Sequence, residues 1–336
     1  MPRIAYDLLH DTLVRIVTSL GITGDDARLV ARLFADASRD GVASHGLDRV
    51  PRFAAAVRDG VVDPVARPVP VAAHGALERW DGRRGPGMLN AHRAMARAVA
   101  LARTHGIGCV ALADTNHWMR GGSYGWQAVE AGVVGICWTN TMPNMPPWGA
   151  AVPRLGNNPL VVAVPRSGGA HVVLDMAMSQ FSFGALESYR RRGDALPVPG
   201  GFDADGTLTR DPAAIEATAR VLPIGYWKGS GLSLALDMLA ALLSGGQATH
   251  QIAPEPGREA GLSQVFVAID PSTFGGSDAI VSAIVDDLHA AAPGARYPGE
   301  HTLAVRAESM TLGVEVDAEV WARVQALGAE ALRGGE

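Results

Sequence analysis

The chain has 336 residues, 48% hydrophobic and 19% charged, with a net charge of −5. It is too apolar for disorder and long enough for a large core, which points to two domains or to one large domain with an appendage. The acidic balance leaves no basic footprint for nucleic acid, and the opening stretch MPRIAYDLLHDTL carries acids where a secretory leader needs an unbroken apolar run.

In chain order, Tyr6–Leu20 repeats apolar residues at Leu8, Leu9, Leu13, Ile16, Val17 and Leu20, near the helical period of about 3.6. Thr23 is placed to cap a second helix, with Asp25 and Asp26 in its first turn and Leu29, Val30, Leu33 and Phe34 as its buried stripe. A third short helix is expected over Leu47–Asp59, ending at Gly60. From about residue 68 β-rich runs appear, at Val69–Ala73, Cys109–Ala113, Val133–Thr139, Leu160–Val164, Val172–Leu174 and Val265–Ile269. Helical stretches interleave at Leu89–Thr104, Tyr124–Ala131, Phe183–Arg192, Gly231–Ser244 and Asp278–Ala291, and the tail Asp317–Leu332 is helical again. This pattern predicts an α/β core over 68–299, a central sheet covered by helices. Residues 1–67 form a helical segment expected to pack with 300–336. Residues 193–222 are polar and rich in Gly and Pro, and read as a long surface loop or lid. The most apolar helix, Leu232–Leu243, is broken by Asp237 and is too short to span a bilayer. With no leader and no span, a cytoplasmic protein is expected. Cys109 and Cys137, the only two cysteines, lie in strand-like runs and read as buried, reduced thiols.

Several segments carry chemistry-bearing side chains. Asn116–Gly149 holds four of the seven tryptophans beside His117, Arg120, Tyr124, Thr139 and Asn140. Apolar rings that exclude water around convergent polar groups are the makings of a small-molecule site, and Trp118 or Trp138 would keep its reaction path dry. A Trp-rich core hairpin is the competing reading. Ser44-His45-Gly46 follows the second helix, with Asp48, Arg49 and Arg52 close behind. Histidine is the natural proton donor near neutrality, and Arg49, a turn beyond His45, is placed to grip a substrate carboxylate. A loop histidine bound to backbone, flanked by solvated arginines, is an equal alternative. Asp175, at the end of a β run, is suited to orienting a histidine, accepting from a cofactor hydroxyl, or capping a helix. Gly225–Gly231 opens a helix with exposed amides and Lys228, a setting for a pyrophosphate with Trp227 stacked on the cofactor. No Gly-x-Gly-x-x-Gly follows a predicted strand; Gly106-Ile107-Gly108 precedes its strand, the wrong order for a dinucleotide turn. Neither a zinc spacing nor a His-x-His or His-Glu-x-x-His pairing occurs, so no metal is expected.

SHGLDRVPRF (Ser44–Phe53), NHWMRGGSYGWQA (Asn116–Ala128), GICWTN (Gly135–Asn140), MPPWGA (Met145–Ala150), LGNNPL (Leu155–Leu160), LDMAMSQFSFG (Leu174–Gly184) and GYWKGSG (Gly225–Gly231) follow one another in this order. Together they resemble the type-2 malate/L-lactate dehydrogenase (sulfolactate dehydrogenase-like) family, over about residues 5–330. The Asn116–Ala128 and Gly225–Gly231 strings are most similar to its branch that reduces 2,3-diketo-L-gulonate. The resemblance implies a non-Rossmann nicotinamide-binding domain on a mixed sheet, and a homodimer sharing its sites. It also implies reduction of a 2-oxo acid by NADH, with NADPH as the other candidate donor. Carried onto matching positions, it implies His45 as proton donor, with Ser44 orienting it and Asp175 as a further catalytic group. Arg49, His117, Arg120 and Asn140 would bind substrate. Cofactor contacts would fall on His171, Val172, Val173, Leu174, Asp175, Met176 and Ala177, on Trp227 and Lys228, and on Gly299, Glu300 and His301.

Overall fold

The computed structural model describes residues 2–255, 257–275 and 277–333. After a short strand, β1 (Arg3–Ile4), the first apolar stripes become α1 (Tyr6–Ser19) and α2 (Gly24–Arg39). Leu9, Leu13 and Val17 of α1 and Val30 and Phe34 of α2 are fully buried. Each such side chain stabilises the fold by roughly 1.5–3 kcal/mol. Thr23 occupies the N-cap position of α2, but its hydroxyl makes no capping bond. Asp26, in the first turn, instead receives Arg67 and Arg93 and ties α2 to the chain beyond it. Two 3-10 turns, Ala43–His45 and Leu47–Arg49, lead into α3 (Val50–Arg58), whose Pro51 sits where a missing N–H costs nothing.

The remaining strands and helices are β2 (Val69–His74), β3 (Leu77–Asp81), α4 (Gly87–His105), β4 (Ile107–Asn116), α5 (Gly122–Glu130), β5 (Val134–Thr139), β6 (Leu160–Val164), β7 (Val172–Met176), α6 (Phe183–Arg192), β8 (Gly201–Phe202), β9 (Leu208–Thr209), α7 (Pro212–Thr218), α8 (Trp227–Ser244), β10 (Ala260–Ile269), α9 (Ser277–Ala291), α10 (Glu300–Leu312), β11 (Val314–Glu315) and α11 (Ala318–Arg333). The main sheet has the order β2-β3-β4-β10-β5-β6-β7. It is mixed: β3 runs parallel to β4 and every other pair is antiparallel. β10 lies at the centre because both its faces are apolar. Phe266 enters the core under α4 and α5, and Val265 enters the opposite one, beneath α8.

A third core joins α1, α2 and α3 to Val316, Val320 and Val324 of the C-terminal segment, and β1 pairs with β11. Met88, Leu89 and Met119 from the sheet region reach into this helical core. The Asn116–Arg120 turn therefore lies at the seam between helices and sheet.

Several expectations need correction, and one strand was not foreseen. The stretch 193–222 is not a bare loop, because it folds into the β8–β9 hairpin and α7. β3 was hidden by its charged composition, LERWD; Glu78 is buried only because Arg97 and the Trp80 indole bond its carboxylate. Trp118 and Trp138 do not line a reaction path. Trp118 is 1% exposed against Tyr124 and Phe266, and the Trp138 indole donates to the Leu236 carbonyl inside the core beneath α8. Both cysteines are free, Cys137 buried and Cys109 only partly so.

Candidate active site

Two turns deliver two histidines to one place. At the end of α2, Gly41 adopts a positive φ and the Leu47 amide donates to Ser38 Oγ, which folds the Ser44–Arg49 segment back over the helix. At the end of β4, the Asn116 side chain donates to the Arg84 and Gly85 carbonyls. Gly87 lets α4 start directly against this turn: a Cβ there would lie 2.1 Å from the Asn116 oxygen and 2.4 Å from the His117 oxygen. The His45 and His117 rings consequently stack, with centroids 5.7 Å apart and planes inclined by 16°.

The partners of these rings define their chemistry. Ser44 Oγ lies 3.1 Å from His45 Nδ1, so the hydroxyl fixes the ring, and Nε2 has no hydrogen-bond partner among the described residues. The Met119 amide donates to His117 Nδ1 at 3.0 Å, so the neutral ring carries its proton on Nε2. Burial, reinforced by the charges of Arg49 and Arg120, pulls the His45 pKa down to about 4. Burial, with Arg49 and His45 adding to it, holds His117 well below its ordinary value. Both are neutral at pH 7. Arg49 is itself depressed to about 10, by burial first and then by the neighbouring Arg52. Among the described residues neither Arg49 nor Arg52 donates to a carboxylate. Both line a pocket with Phe53, His117, Met119 and Glu259.

Arg120, expected to bind substrate, is instead committed to a buried ion pair. Its side chain is 6% exposed and its Nη1 donates to Asp40 Oδ2 at 2.6 Å. Arg306 of α10 grips the same carboxylate at 2.9 and 2.7 Å, and Arg39 adds a bond at 2.8 Å. Burial works to raise the Asp40 pKa, but the Arg306, Arg120 and Arg39 partners outweigh it and hold it at about 2. The buried Arg120 Nε has no partner. Next to it stands Asp175 of β7, open to solvent on one side, whose Oδ2 accepts from the Gly122 amide at 2.8 Å. Burial raises the Asp175 pKa, while Arg120 and the Gly122 amide oppose that rise. Asp175 makes no hydrogen bond to His45; Ser44 holds that position. A Cβ on Gly122 would lie 2.8 Å from Asp175 Oδ2 and 3.4 Å from Arg120 Nε, so its absence leaves a notch between them.

Asn140 is sealed. At 0% exposure its Nδ2 donates to Asp237 Oδ1 and the Gln247 carbonyl, and its Oδ1 accepts from the Ser263 amide. All its capacity goes to joining β5, β10 and α8, so the expectation that it binds substrate does not hold.

The three segments expected to hold a cofactor are arranged along β7. The Val173 amide donates to the Pro298 carbonyl at 2.8 Å, and a Cβ on Gly299 would meet the Val173 nitrogen at 3.1 Å. Gly299, Glu300 and His301 thus begin α10 against His171–Val173. Glu300 is engaged by His289, and His171 Nδ1 accepts from the Arg166 amide. Beyond the strand, the Ile224 amide donates to the Met178 carbonyl, bringing Trp227 and Lys228 to the far end of β7. Trp227 is 66% exposed there. Val172, Leu174, Met176 and Ala177 complete this edge, each half-buried.

Sequence reading missed Asp40, Gly122 and Glu259. Asp40 and Glu259 act through contacts far along the chain, and nothing in their local spacing announces them. Gly122 sat inside a quoted motif, where its missing side chain gave no sign of use. Among the described residues no group of three His, Cys, Asp or Glu side chains is arranged to hold a metal, and no helix is long and apolar enough to cross a membrane.

Comparison with known proteins gives one answer. The model of the malate/L-lactate dehydrogenase family matches residues 4–325. The chain is 44% identical over 333 residues to the 2,3-diketo-L-gulonate reductase of Citrobacter koseri, covering 97% of this chain and 100% of that protein. Its fold is similar to sulfolactate dehydrogenase from Methanocaldococcus jannaschii, with a TM-score of 0.90 and 27% identity over 98% of this chain and 97% of that one. It is also similar to delta1-piperideine-2-carboxylate reductase from Pseudomonas syringae, with a TM-score of 0.88 and 31% identity over 97% and 100% of the two chains. Sequence, fold and the convergence of the quoted motifs on one seam make this chain an oxidoreductase acting on CH–OH groups, a member of the malate/L-lactate dehydrogenase family.

Proposed function

We propose that the chain reduces a 2-oxo sugar acid, 2,3-diketo-L-gulonate, to the 2-hydroxy acid 3-dehydro-L-gulonate, with NADH as donor. The observation that carries this reading is the stacked His45–His117 pair beside Arg49, a guanidinium with no carboxylate partner among the described residues. The family carries a nicotinamide cofactor, and the residues along β7 fit one. The Gly122 notch offers an acceptor, Asp175, and an unpartnered donor, Arg120 Nε, which complement a carboxamide. His171–Ala177 and Gly299–His301 would hold the rest of the molecule, with Trp227 and Lys228 at its pyrophosphate end. When bound, this group supplies the hydride.

The chain's own residues do the remainder. Arg49 holds the substrate carboxylate. His45, oriented by Ser44, gives a proton from Nε2 to the carbonyl oxygen, and His117 presents its Nε2 proton to the same region. A carboxylate on Arg49 offsets one of the charges that depress His45, so the proton affinity of the imidazole rises as substrate binds. On this reading residues 68–299, with Glu300 and His301 at the start of α10, bind the cofactor, and the helical layer of 1–67 with 300–336 delivers His45 and Arg49.

The working unit proposed is a cytoplasmic homodimer. Its support is α8, where Trp227, Leu234, Met238 and Leu242 are 66%, 43%, 60% and 71% exposed along the outward side of the helix. Such a helix is normally covered. The test is NADH oxidation with 2,3-diketo-L-gulonate, pyruvate, oxaloacetate and piperideine-2-carboxylate, with NADPH in parallel. Highest kcat/KM on the diketo sugar acid is expected; turnover confined to another of the four would replace the substrate and keep the chemistry.

A further inference from the structure

We infer that the pocket beside His117 selects singly charged, hydroxyl-bearing 2-oxo acids, and that Glu259 is the residue that turns dianions away. The inference rests on the 2-oxo acid reading above and adds the substrate's charge and the residues that read it.

The charged side chains lining the pocket are Arg49, Arg52 and Glu259, so this chain contributes two positive charges and one negative. His117, the other titratable group in the wall, is neutral for the reasons given above. The balance is one uncompensated positive charge, which a single substrate carboxylate neutralises. Glu259 is not spent in an ion pair. Among the described residues it makes no salt bridge to either arginine, although its charge is felt at Arg49. Its Oε1 accepts from the Met142 amide at 3.2 Å, which anchors the side chain in the wall.

A second carboxylate on the substrate would have to shed its water next to Glu259 with no cation left over, and like charges brought together out of water repel strongly. Hydroxyl groups meet no such penalty, because a carboxylate accepts from them and Arg52 donates to them. The apolar remainder of the wall, including Phe53, Val61, Val62 and Met119, offers nothing to a second charge. Discrimination here comes from a repulsive element as much as from an attractive one.

Two measurements test this, one of which needs no turnover. The first is kcat/KM for oxaloacetate relative to pyruvate, a dianion and a monoanion of the same 2-oxo acid core. Glu259→Gln, which keeps the acceptor for the Met142 amide, should raise that ratio about tenfold and lower kcat/KM for 2,3-diketo-L-gulonate. Arg52→Gln should move the ratio the opposite way. The second is binding of oxamate and oxalate followed by calorimetry: the wild type should prefer the monoanion oxamate, and Glu259→Gln should narrow or reverse that preference. Unchanged ratios and preferences in folded variants would overturn the inference while leaving the reductase reading intact. The expected binding preferences with no turnover on any 2-oxo acid would sustain charge selection and remove the reaction instead.

Discussion

His45 is a neutral imidazole at pH 7 because burial and two arginines oppose its charging, and one of those arginines, Arg49, is the group proposed to meet the substrate. Neutralising Arg49 therefore raises the proton affinity of His45 and couples anion binding to proton uptake. The sign follows. The free site binds its proton only near pH 4, so an anion that lifts this pKa binds more tightly as pH falls through the lifted value toward about 4. Calorimetry of oxamate binding in buffers of different ionisation enthalpy should show net proton uptake by the wild type and none by His45→Gln. Asp40 makes the second case at this scale. With 1% side-chain exposure and three arginine partners, it is the counterion that holds buried Arg120 and partly buried Arg306. Asp40→Asn should destabilise the fold by about 3–5 kcal/mol, seen in urea unfolding; a cost under about 1 kcal/mol would mean that solvent already screens the network.

Among the elements, the α5 N-terminus shows how a missing side chain does work. Gly122 has no positive φ, so Gly122→Ala adds no backbone strain; its Cβ instead enters the notch beside Asp175 and Arg120. Fluorescence titration should show NADH binding weakened about tenfold, with thermal stability within a few degrees of wild type. Unaltered NADH affinity would place the nicotinamide end elsewhere. Element by element, the sequence was most legible where one face is apolar and the other wet. Phe183–Arg192 and Leu160–Val164 coincide with α6 and β6, and the helices over the first 60 residues agree to within a few residues. β3, α7 and α10 were missed because their signals are tertiary: an ion-paired glutamate in β3, a single buried isoleucine in α7, and in α10 one arginine that reaches Asp40. Ser44, His45 and Arg49 stood out as a local string. Their meeting with His117, and the sealing of Asn140, depend on contacts between distant segments that no local spacing encodes.

For the whole molecule, the helical layer brings His45 and Arg49, the proposed proton donor and carboxylate binder, to the rim of a sheet whose β7 edge carries the proposed cofactor segments. The tryptophans that made Asn116–Gly149 conspicuous mostly build the core behind this rim, so the segment is both site and core rather than one or the other. The outward face of α8 belongs to this scale too. Replacing Met238 and Leu242 together by Glu should yield a monomer in light scattering coupled to size exclusion, whereas an unchanged mass would move the dimer contact to another face.

The central claim is that His45 protonates the carbonyl oxygen of a 2-oxo acid held by Arg49. Its most direct test is single-turnover NADH oxidation with 2,3-diketo-L-gulonate by the wild type and by His45→Gln, each saturated with both ligands. The account predicts a rate at least about a hundredfold lower in the variant, with NADH affinity unchanged. A variant that turns over at the wild-type rate would show that the proton comes from another group and would contradict the account.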